Sequence, residues 1–469
     1  MHLVLGQTSD GGIRNICWLL ELTQLDRFIA ASYGAQQKFA TQVERLIVRF
    51  GQEEELRLAP LMPPGEITLC QDETFHPQIC LVAIEPVSNF LILEQYAPQR
   101  DASTWNAALT PALQPFTSLQ IIQCVSDQAT ALITYTESIL GVHHSPDLFH
   151  VQQELSRATS GALHRQTEKA EKKLAGAEAS YQAKALSLEA LPRTVGDLAL
   201  EQQLRSELPS LEKAKTEAFL DCQATQQRQR QAREARCGIS QAYHPFDLHD
   251  GTLQEPTQVE ATLNQHFATL EQVATEAQLS TSSHDRIAKA LRVLPSMIAT
   301  LVFFWKVIAR RAEKLAYSTE IVDIWKKELL SGYYLESVAK RCREAKERRR
   351  LRALSESILH RARDGPFGSL AEKDQRYLEE QARLAADVFQ RSSSCVEGRN
   401  GQLSLRQHGL RNLRTTKLLA LRVLHNYVIR RADRTTAAER FFGQAPRSLF
   451  RWLRERLPYP SRPRTRKGQ

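Results

Sequence analysis

Two aspartates occupy positions where paired carboxylates act chemically. Asp72 closes the apolar segment ITLCQD, and Asp127 closes IIQCVSD. If both segments are neighbouring parallel strands, their carboxyl ends meet in one crevice and bring the two side chains together. Two close carboxylates repel each other, and a hard divalent cation with oxygen ligands relieves that repulsion. An aspartate at a strand end is more often a turn former or a helix N-cap than a metal ligand, so the pair and its placement carry the prediction.

A third carboxylate is expected to complete this site. Glu397 lies in SSSCVEGRNGQLS, at the predicted start of a helix, and Asn400, Ser404 and His408 follow on the same face. A glutamate in the first turn also simply suits the helix dipole. Basic residues surround it, and with Asn400 and His408 they form our predicted DNA-contacting set: Arg399, Arg406, Arg411, Arg414 and Lys417. Carboxylates among so many cations are consistent with a metal site next to DNA phosphates.

The elements that must position these groups alternate in type. EITLCQD, ICLVAIE and NFLILEQ predict three consecutive strands, and DASTWNAALTPAL predicts a helix with Asp101 as its N-cap. LQIIQCVSD predicts a fourth strand and QATALITYTESIL a second helix. This β-β-β-α-β-α order, with acids at strand ends, is the skeleton of an RNase H-like α/β fold. HHSPDLFH (143–150) predicts a fifth strand or its exit loop, followed by the helix into the insertion, rather than a metal site.

The remaining chain predicts helices. Residues 152–190 and 198–236 predict a long antiparallel hairpin, within a helical insertion that spans 151–390. Further single helices are predicted at about 283–314, which includes the apolar run 294–309, and at about 333–362. We interpret 294–309 as a buried core helix rather than a membrane span. The basic run 340–363 contains Arg348, Arg349 and Arg350 and is predicted to track a DNA backbone, although a solvated face explains it too.

Both ends of the chain are predicted to lie outside the catalytic core. Residues 1–58 predict a helical region, either a partial helix-turn-helix or a plain helical hairpin, and 441–469 predict a basic tail. The catalytic core itself is predicted to combine 66–150 with 391–440.

Bulk composition agrees with a nucleic-acid partner without requiring one. The 469 residues are 42% hydrophobic and carry a net charge of +9, which suits a polyanion. The eight cysteines form no CxxC pair, which predicts reduced thiols in a cytoplasmic protein, and no signal peptide is apparent.

Several blocks of sequence resemble a known family. QDETFHPQICLVAIEPVSNFLILEQY, VSDQATAL, HHSPDLFHVQ, SSCVEGRNGQLSLRQHGLRNL and LHNYVIRRADRTTAAERFF are similar to successive blocks of bacterial insertion-sequence transposases of the DDE superfamily. The resemblance runs from about residue 66 to the C-terminus and is strongest in the outer blocks. The long separation of Asp127 from Glu397 is similar to subgroups that place a helical insertion before the final glutamate.

The resemblance implies a function. Asp72, Asp127 and Glu397 match the family's DDE triad, which implies two Mg²⁺ or Mn²⁺ ions, cleavage at transposon ends and strand transfer into target DNA. It also implies a homodimer assembled on DNA, with no membrane partner. The resemblance further implies that the block 143–150 packs near the active site, with Asp147 and His150 in contact with DNA or with the catalytic residues. Residues 1–65 are short for the family's DNA-binding region, so the alternative is an inactive, DNA-binding remnant. A third hypothesis, a helical scaffold, leaves the paired aspartates unexplained.

Overall fold

The protein is described from a computed structural model and divides into two compact units. The structure describes residues 1–3, 6, 11–75, 78–191, 198–410, 413–458 and 461–463, with backbone alone for 408–410. The first unit combines Met1–Asp147 with Gln390–Gln469, and the second is Leu148–Phe389. The first unit is therefore assembled from two separate parts of the sequence.

A mixed five-stranded sheet forms the centre of the first unit. The strands are β1 (Gly65–Phe75), β2 (Ile79–Glu85), β3 (Phe90–Ala97), β4 (Leu119–Ser126) and β5 (His143–Pro146). Their order in the sheet is β3-β2-β1-β4-β5. β1 pairs antiparallel with β2, and β2 with β3, whereas β1–β4 and β4–β5 are parallel. The predicted strands are confirmed, including the fifth in HHSP, and β1 extends three residues beyond its predicted end.

Helices pack against the sheet, among them α3 (Ala102–Leu113), and in its described residues the second unit is helical apart from loops and one isolated bridge between Phe246 and Leu253. Asp101 is the N-cap of α3, as predicted, because its carboxylate accepts a hydrogen bond from the Thr104 amide at 2.7 Å. The α-helices in chain order are α1 (Ile13–Leu22), α2 (Tyr33–Leu58), α3 (Ala102–Leu113), α4 (Thr130–Thr134), α5 (Leu148–Glu189), α6 (Leu198–Ala242), α7 (Pro256–Glu276), α8 (Thr281–Leu291), α9 (Leu294–Glu313), α10 (Thr319–Ile324), α11 (Leu330–Arg341), α12 (Ala345–Asp364), α13 (Glu372–Ala386), α14 (Ser394–Leu410), α15 (Thr415–Tyr427), α16 (Ala437–Phe442) and α17 (Leu449–Arg456).

The N-terminal helices do not have the geometry of a helix-turn-helix. Residues 23–32 connect α1 to α2, whereas a helix-turn-helix uses a turn of about three or four residues. The longer helix α2 buries Val43, Ile47 and Phe50 in the same hydrophobic core as the sheet. Its apolar face is therefore used for folding, and the predicted partial helix-turn-helix is corrected to a core helix.

Part of the predicted basic tail also belongs to the core. Helix α17 buries Leu449, Trp452 and Leu453, which share one face through their i, i+3, i+4 spacing. The Trp452 ring packs edge-on against Phe50 of α2, with the ring centroids 5.5 Å apart. Residues 459–460 and 464–469, at the extreme end of the same predicted tail, lie outside the described residues.

The second unit contains the predicted antiparallel hairpin. Lys184 of α5 pairs with Glu207 of α6 at 2.7 Å, and Gln152 donates to the Arg236 carbonyl at 3.0 Å. Residue numbers that rise on one helix and fall on the other define antiparallel helices, so the prediction for α5 and α6 is confirmed.

Two helices predicted as continuous are each broken in the structure. The predicted helix 283–314 is divided into α8 and α9, because Pro295 in the first turn of α9 lacks an amide hydrogen. The predicted helix 333–362 is divided by an extended Cys342 into α11 and α12. The region 281–313 is long and apolar enough to cross a membrane, but a soluble core helix passes the same test. Met297, Leu301 and Phe304 of α9 are buried within the protein.

Candidate active site

Asp72 and Asp127 lie in matching positions just beyond the parallel ladder of β1 and β4. Asp72 is still within β1, which continues to Phe75, whereas Asp127 directly follows β4. The last parallel pair between β1 and β4 is Cys70 with Val125, and the two aspartates lie two residues further along each chain. In-register residues of parallel strands point to the same face, so both carboxylates belong to one edge of the sheet. Both are half-buried. The two aspartates are therefore aligned across β1 and β4, but Asp72 lies within β1, opposite Val82 of β2, rather than at the predicted strand end.

Helix α14 docks against this edge through Asn400. The Asn400 side-chain amide donates to Oδ2 of Asp72 at 2.8 Å, while Oδ1 of Asp72 accepts from the Glu73 backbone amide at 2.8 Å. Asn400 is 9% exposed, and its own Oδ1 has no hydrogen-bond partner among the described residues. A residue predicted to contact DNA is thus a direct partner of the first catalytic candidate, over 300 positions away in sequence.

Glu397 lies in the first turn of α14, one turn before Asn400. Residues three apart share a helix face, so Glu397 is carried on the side of α14 that meets β1. Glu397 is half-buried. In the part of the chain that the structure describes, no three His, Cys, Asp or Glu side chains are gathered closely enough to hold one metal ion. The three carboxylates therefore do not form a closed cluster, and Glu397 is related to Asp72 through its position one helical turn before Asn400.

The Asp127 backbone is held from β4 and β5. Oδ1 of Asp127 accepts from the Ala129 amide at 2.9 Å, which begins the turn into α4. The Ser126 hydroxyl lies 2.9 Å from Nε2 of His144 and 3.1 Å from the Asp127 carbonyl oxygen. Burial lowers the pKa of His144 to about 4, so this imidazole is neutral at pH 7. A neutral histidine therefore supports the turn that presents Asp127.

Glu73 is a further acidic residue near the site that sequence reasoning missed. Its Oε1 accepts from the Trp105 indole at 3.1 Å. Burial raises the pKa of Glu73, the hydrogen bond from Trp105 opposes that change, and the negative charge of Asp127 adds to it. The sequence indicated Glu73 only by its position directly after Asp72. Strand alternation, however, sends adjacent side chains to opposite faces, so the pattern alone does not group them.

The side chains at this edge have the chemistry that a hard divalent cation requires. Asp72, Asp127 and the amide oxygen of Asn400 offer oxygen atoms only, which Mg²⁺ and Mn²⁺ prefer. The buried Asn400 oxygen, which accepts no hydrogen bond from a described residue, is an atom that a hydrated cation would satisfy. These residues fit such an ion, with Glu397 one helical turn away.

Arg399 has a structural role, which removes it from the predicted DNA surface. Its guanidinium makes two hydrogen bonds to the Glu94 carboxylate of β3, at 2.6 and 2.7 Å. The side chains are 5% and 0% exposed. Because the guanidinium is buried and already paired with a carboxylate, the predicted DNA contact of Arg399 is corrected to a structural ion pair.

The other basic residues predicted to contact DNA near α14 differ in how accessible their side chains are to a phosphate. Lys417 lies 3.6 Å from Glu44 and donates to the Gly6 carbonyl, and burial lowers its pKa. Arg414 is exposed at the start of α15, and Arg406 is half-buried. The His408 side chain and the whole of Arg411 lie outside the described residues. Arg414 is thus the best placed of this group to meet a phosphate.

In the second unit, some arginines of the basic helix α12 bind other groups of the protein. Arg350 pairs with Glu347 and donates to the Leu248 carbonyl at 2.9 Å. Arg348 donates to the Cys342 carbonyl at 3.0 Å, whereas Arg349 is exposed. Of the three predicted contacts, Arg349 has the exposed side chain that phosphate binding requires.

The C-terminal part of the chain matches a protein family whose function is not assigned. A family model described as a family of unknown function, DUF6399, matches residues 325–469. That range contains Glu397 and α14 but neither Asp72 nor Asp127. No curated protein matches the sequence.

Proposed function

We propose that this protein is a DDE-type DNA transposase that cuts DNA at transposon ends and transfers the freed strand into target DNA. One relationship carries the proposal: Asp72 and Asp127 occupy matching positions two residues beyond the last parallel pair of β1 and β4, and Asn400 joins Asp72 to the helix that carries Glu397. The mixed sheet of order β3-β2-β1-β4-β5 supports the finer assignment to an RNase H-like fold. The helical second unit supports the subgroup with an insertion before the final glutamate.

In this proposal different side chains bind the metal ions, position the metal ligands and contact DNA. Asp72, Asp127 and Glu397 would hold two Mg²⁺ or Mn²⁺ ions, which supply charge neutralisation at the phosphodiester and an activated oxygen nucleophile. Asn400 orients the Asp72 carboxylate, and Ser126 with His144 fixes the turn that presents Asp127. The exposed Arg414 and Arg349 contact DNA phosphates and position the duplex without reading its sequence. The protein acts by positioning and electrostatics, and no covalent protein–DNA intermediate is required.

The proposal is tested by replacing each aspartate with its neutral isostere. Asp72→Asn and Asp127→Asn should each remove metal-dependent cutting of duplex DNA that carries the element's end, while DNA affinity is retained. Glu137→Gln is the matched control, because Glu137 is exposed and follows β4 without joining the site. Undiminished cutting by either aspartate variant would contradict the assignment. Binding by the wild type without cutting would favour the inactive, DNA-binding remnant.

A further inference from the structure

A third aspartate follows the next parallel strand. The β4–β5 ladder ends with Ser126 beside Pro146, and the Asp147 amide donates to the Ser126 carbonyl at 2.9 Å. Asp147 is therefore next in register to Asp127, just as Asp127 is to Asp72. It is 2% exposed, far more buried than a strand-end aspartate that serves as a surface turn.

Asp147 is joined to the start of the helix that carries Glu397. The Ser393 hydroxyl donates to Oδ2 of Asp147, and Ser393 is fully buried. The Ser393 carbonyl accepts from the amides of Val396 at 2.8 Å and Glu397 at 3.2 Å. Two successive contacts thus connect the end of β5 with the backbone of Glu397.

A second contact holds the same segment to the sheet. The Gln123 side chain, on β4, donates to the Gln390 carbonyl at 3.2 Å. Residues 390–393 are therefore attached at both ends before α14 begins at Ser394. The first turn of a helix has amides without intrahelical partners, and its geometry depends on the residues that precede it. A carboxylate near that terminus also interacts favourably with the helix dipole.

We propose that Asp147 is a positioning residue that fixes the first turn of α14, and through it Glu397, against the strand ends. The inference rests on the proposed function only for the catalytic meaning of Glu397. The Asp147–Ser393 contact itself is a property of the fold. Because the contact is buried and made to a carboxylate, its loss should free the helix start rather than be replaced by water.

Hydrogen exchange tests the contact on metal-free protein. Asp147→Ala and Ser393→Ala should each raise amide exchange across 394–397 by at least about tenfold, the scale expected for losing a charge-assisted hydrogen bond. The double variant should add little to either single change, because both remove the same contact. Asp147→Asn keeps an acceptor oxygen and should restore much of the protection. Ser448→Ala is the matched control, since Ser448 caps the distant α17 by accepting from the Arg451 amide.

Cleavage kinetics separate this inference from the proposed function. If the wild type cuts DNA, Asp147→Ala should lower kcat while DNA affinity stays unchanged, and Asp147→Asn should recover part of the rate. Wild-type exchange rates across 394–397 in both single variants would overturn the inference, whether or not the protein cuts. Raised exchange with no cutting by the wild type would support the positioning role and reject the nuclease proposal. Should Asp147→Ala fail to fold, Ser393→Ala removes the same bond from the helix side.

Discussion

The Arg399 guanidinium and the Glu94 carboxylate form a buried, doubly hydrogen-bonded ion pair that joins α14 to β3. Removing one partner leaves a buried charge without compensation, which typically costs about 3–5 kcal/mol. We expect Arg399→Met to lower the free energy of unfolding by that amount in urea denaturation.

Adding Glu94→Met to Arg399→Met should recover much of this loss, because no lone charge then remains buried. Leu405→Ala is the control on the same helix, since Leu405 is 75% exposed. A single variant as stable as the wild type would show that the pair does not anchor α14.

A second prediction concerns pH. Burial lowers the pKa of His144 to about 4, below the unfolded value of about 6.5. The unfolded chain then binds the proton first, so this histidine's contribution to stability is complete above pH 6.5 and decreases as pH falls towards 4. Burial lowers the pKa values of His143 and His425 to about 4 as well, which steepens the same decline.

Replacing His144 with Gln should therefore flatten the dependence of unfolding free energy on pH between 6.5 and 4. His164→Gln, an exposed position on α5, serves as the control. Identical pH profiles for wild type and His144→Gln would count against a neutral, buried imidazole beside Asp127.

A third prediction tests the close packing of α2 on α15. A Cβ added at Gly51 would lie 2.4 Å from Cγ2 of Val423. Valine in a helix has essentially one side-chain rotamer, so it cannot rotate away. Gly51→Ala should destabilise the protein by about 1–3 kcal/mol despite alanine's higher helix propensity.

Gly34 in the same helix provides the matched control, because a Cβ there meets nothing within 4 Å. Gly34→Ala should be neutral or slightly stabilising in the same thermal or urea unfolding experiment. Equal stability of the two alanine variants would reject the tight contact between the helices.

A fourth prediction concerns the exposed arginines. Arg414→Gln and Arg349→Gln should each weaken DNA binding and lower the magnitude of the salt slope by about 0.9 if one phosphate contact is lost. Arg376→Gln is the control, since Arg376 is exposed but pairs with Glu372 on α13. Salt titrations of binding with unchanged slopes would place the DNA path elsewhere.

The sequence predicted the secondary-structure elements better than it predicted which side chains contact each other. Strands, the Asp101 cap and the α5–α6 hairpin follow from local periodicity and short-range hydrogen bonding. The alignment of Asp72 with Asp127 followed from the predicted order of the strands, because an acidic residue closes each of the two apolar runs in the sequence. That Arg399 pairs with Glu94 was beyond the sequence, because a dense basic segment looks the same whether its members face solvent or a carboxylate 305 positions away. Glu73 was missed because strand alternation separates its side chain from that of Asp72. Asp147 was expected near the active site, but its contact with Ser393, 246 positions away, was not.

The most direct test of the central claim is cleavage of a DNA duplex that carries the element's own end, with Mg²⁺ or Mn²⁺, by the wild type and by Glu397→Gln. Glu397 is the decisive residue because it lies in the segment that returns from the helical unit, and because its role rests on the docking of α14 through Asn400. We predict metal-dependent cutting by the wild type and its loss, with DNA binding retained, in Glu397→Gln. Equal cutting by both proteins would contradict the assigned triad.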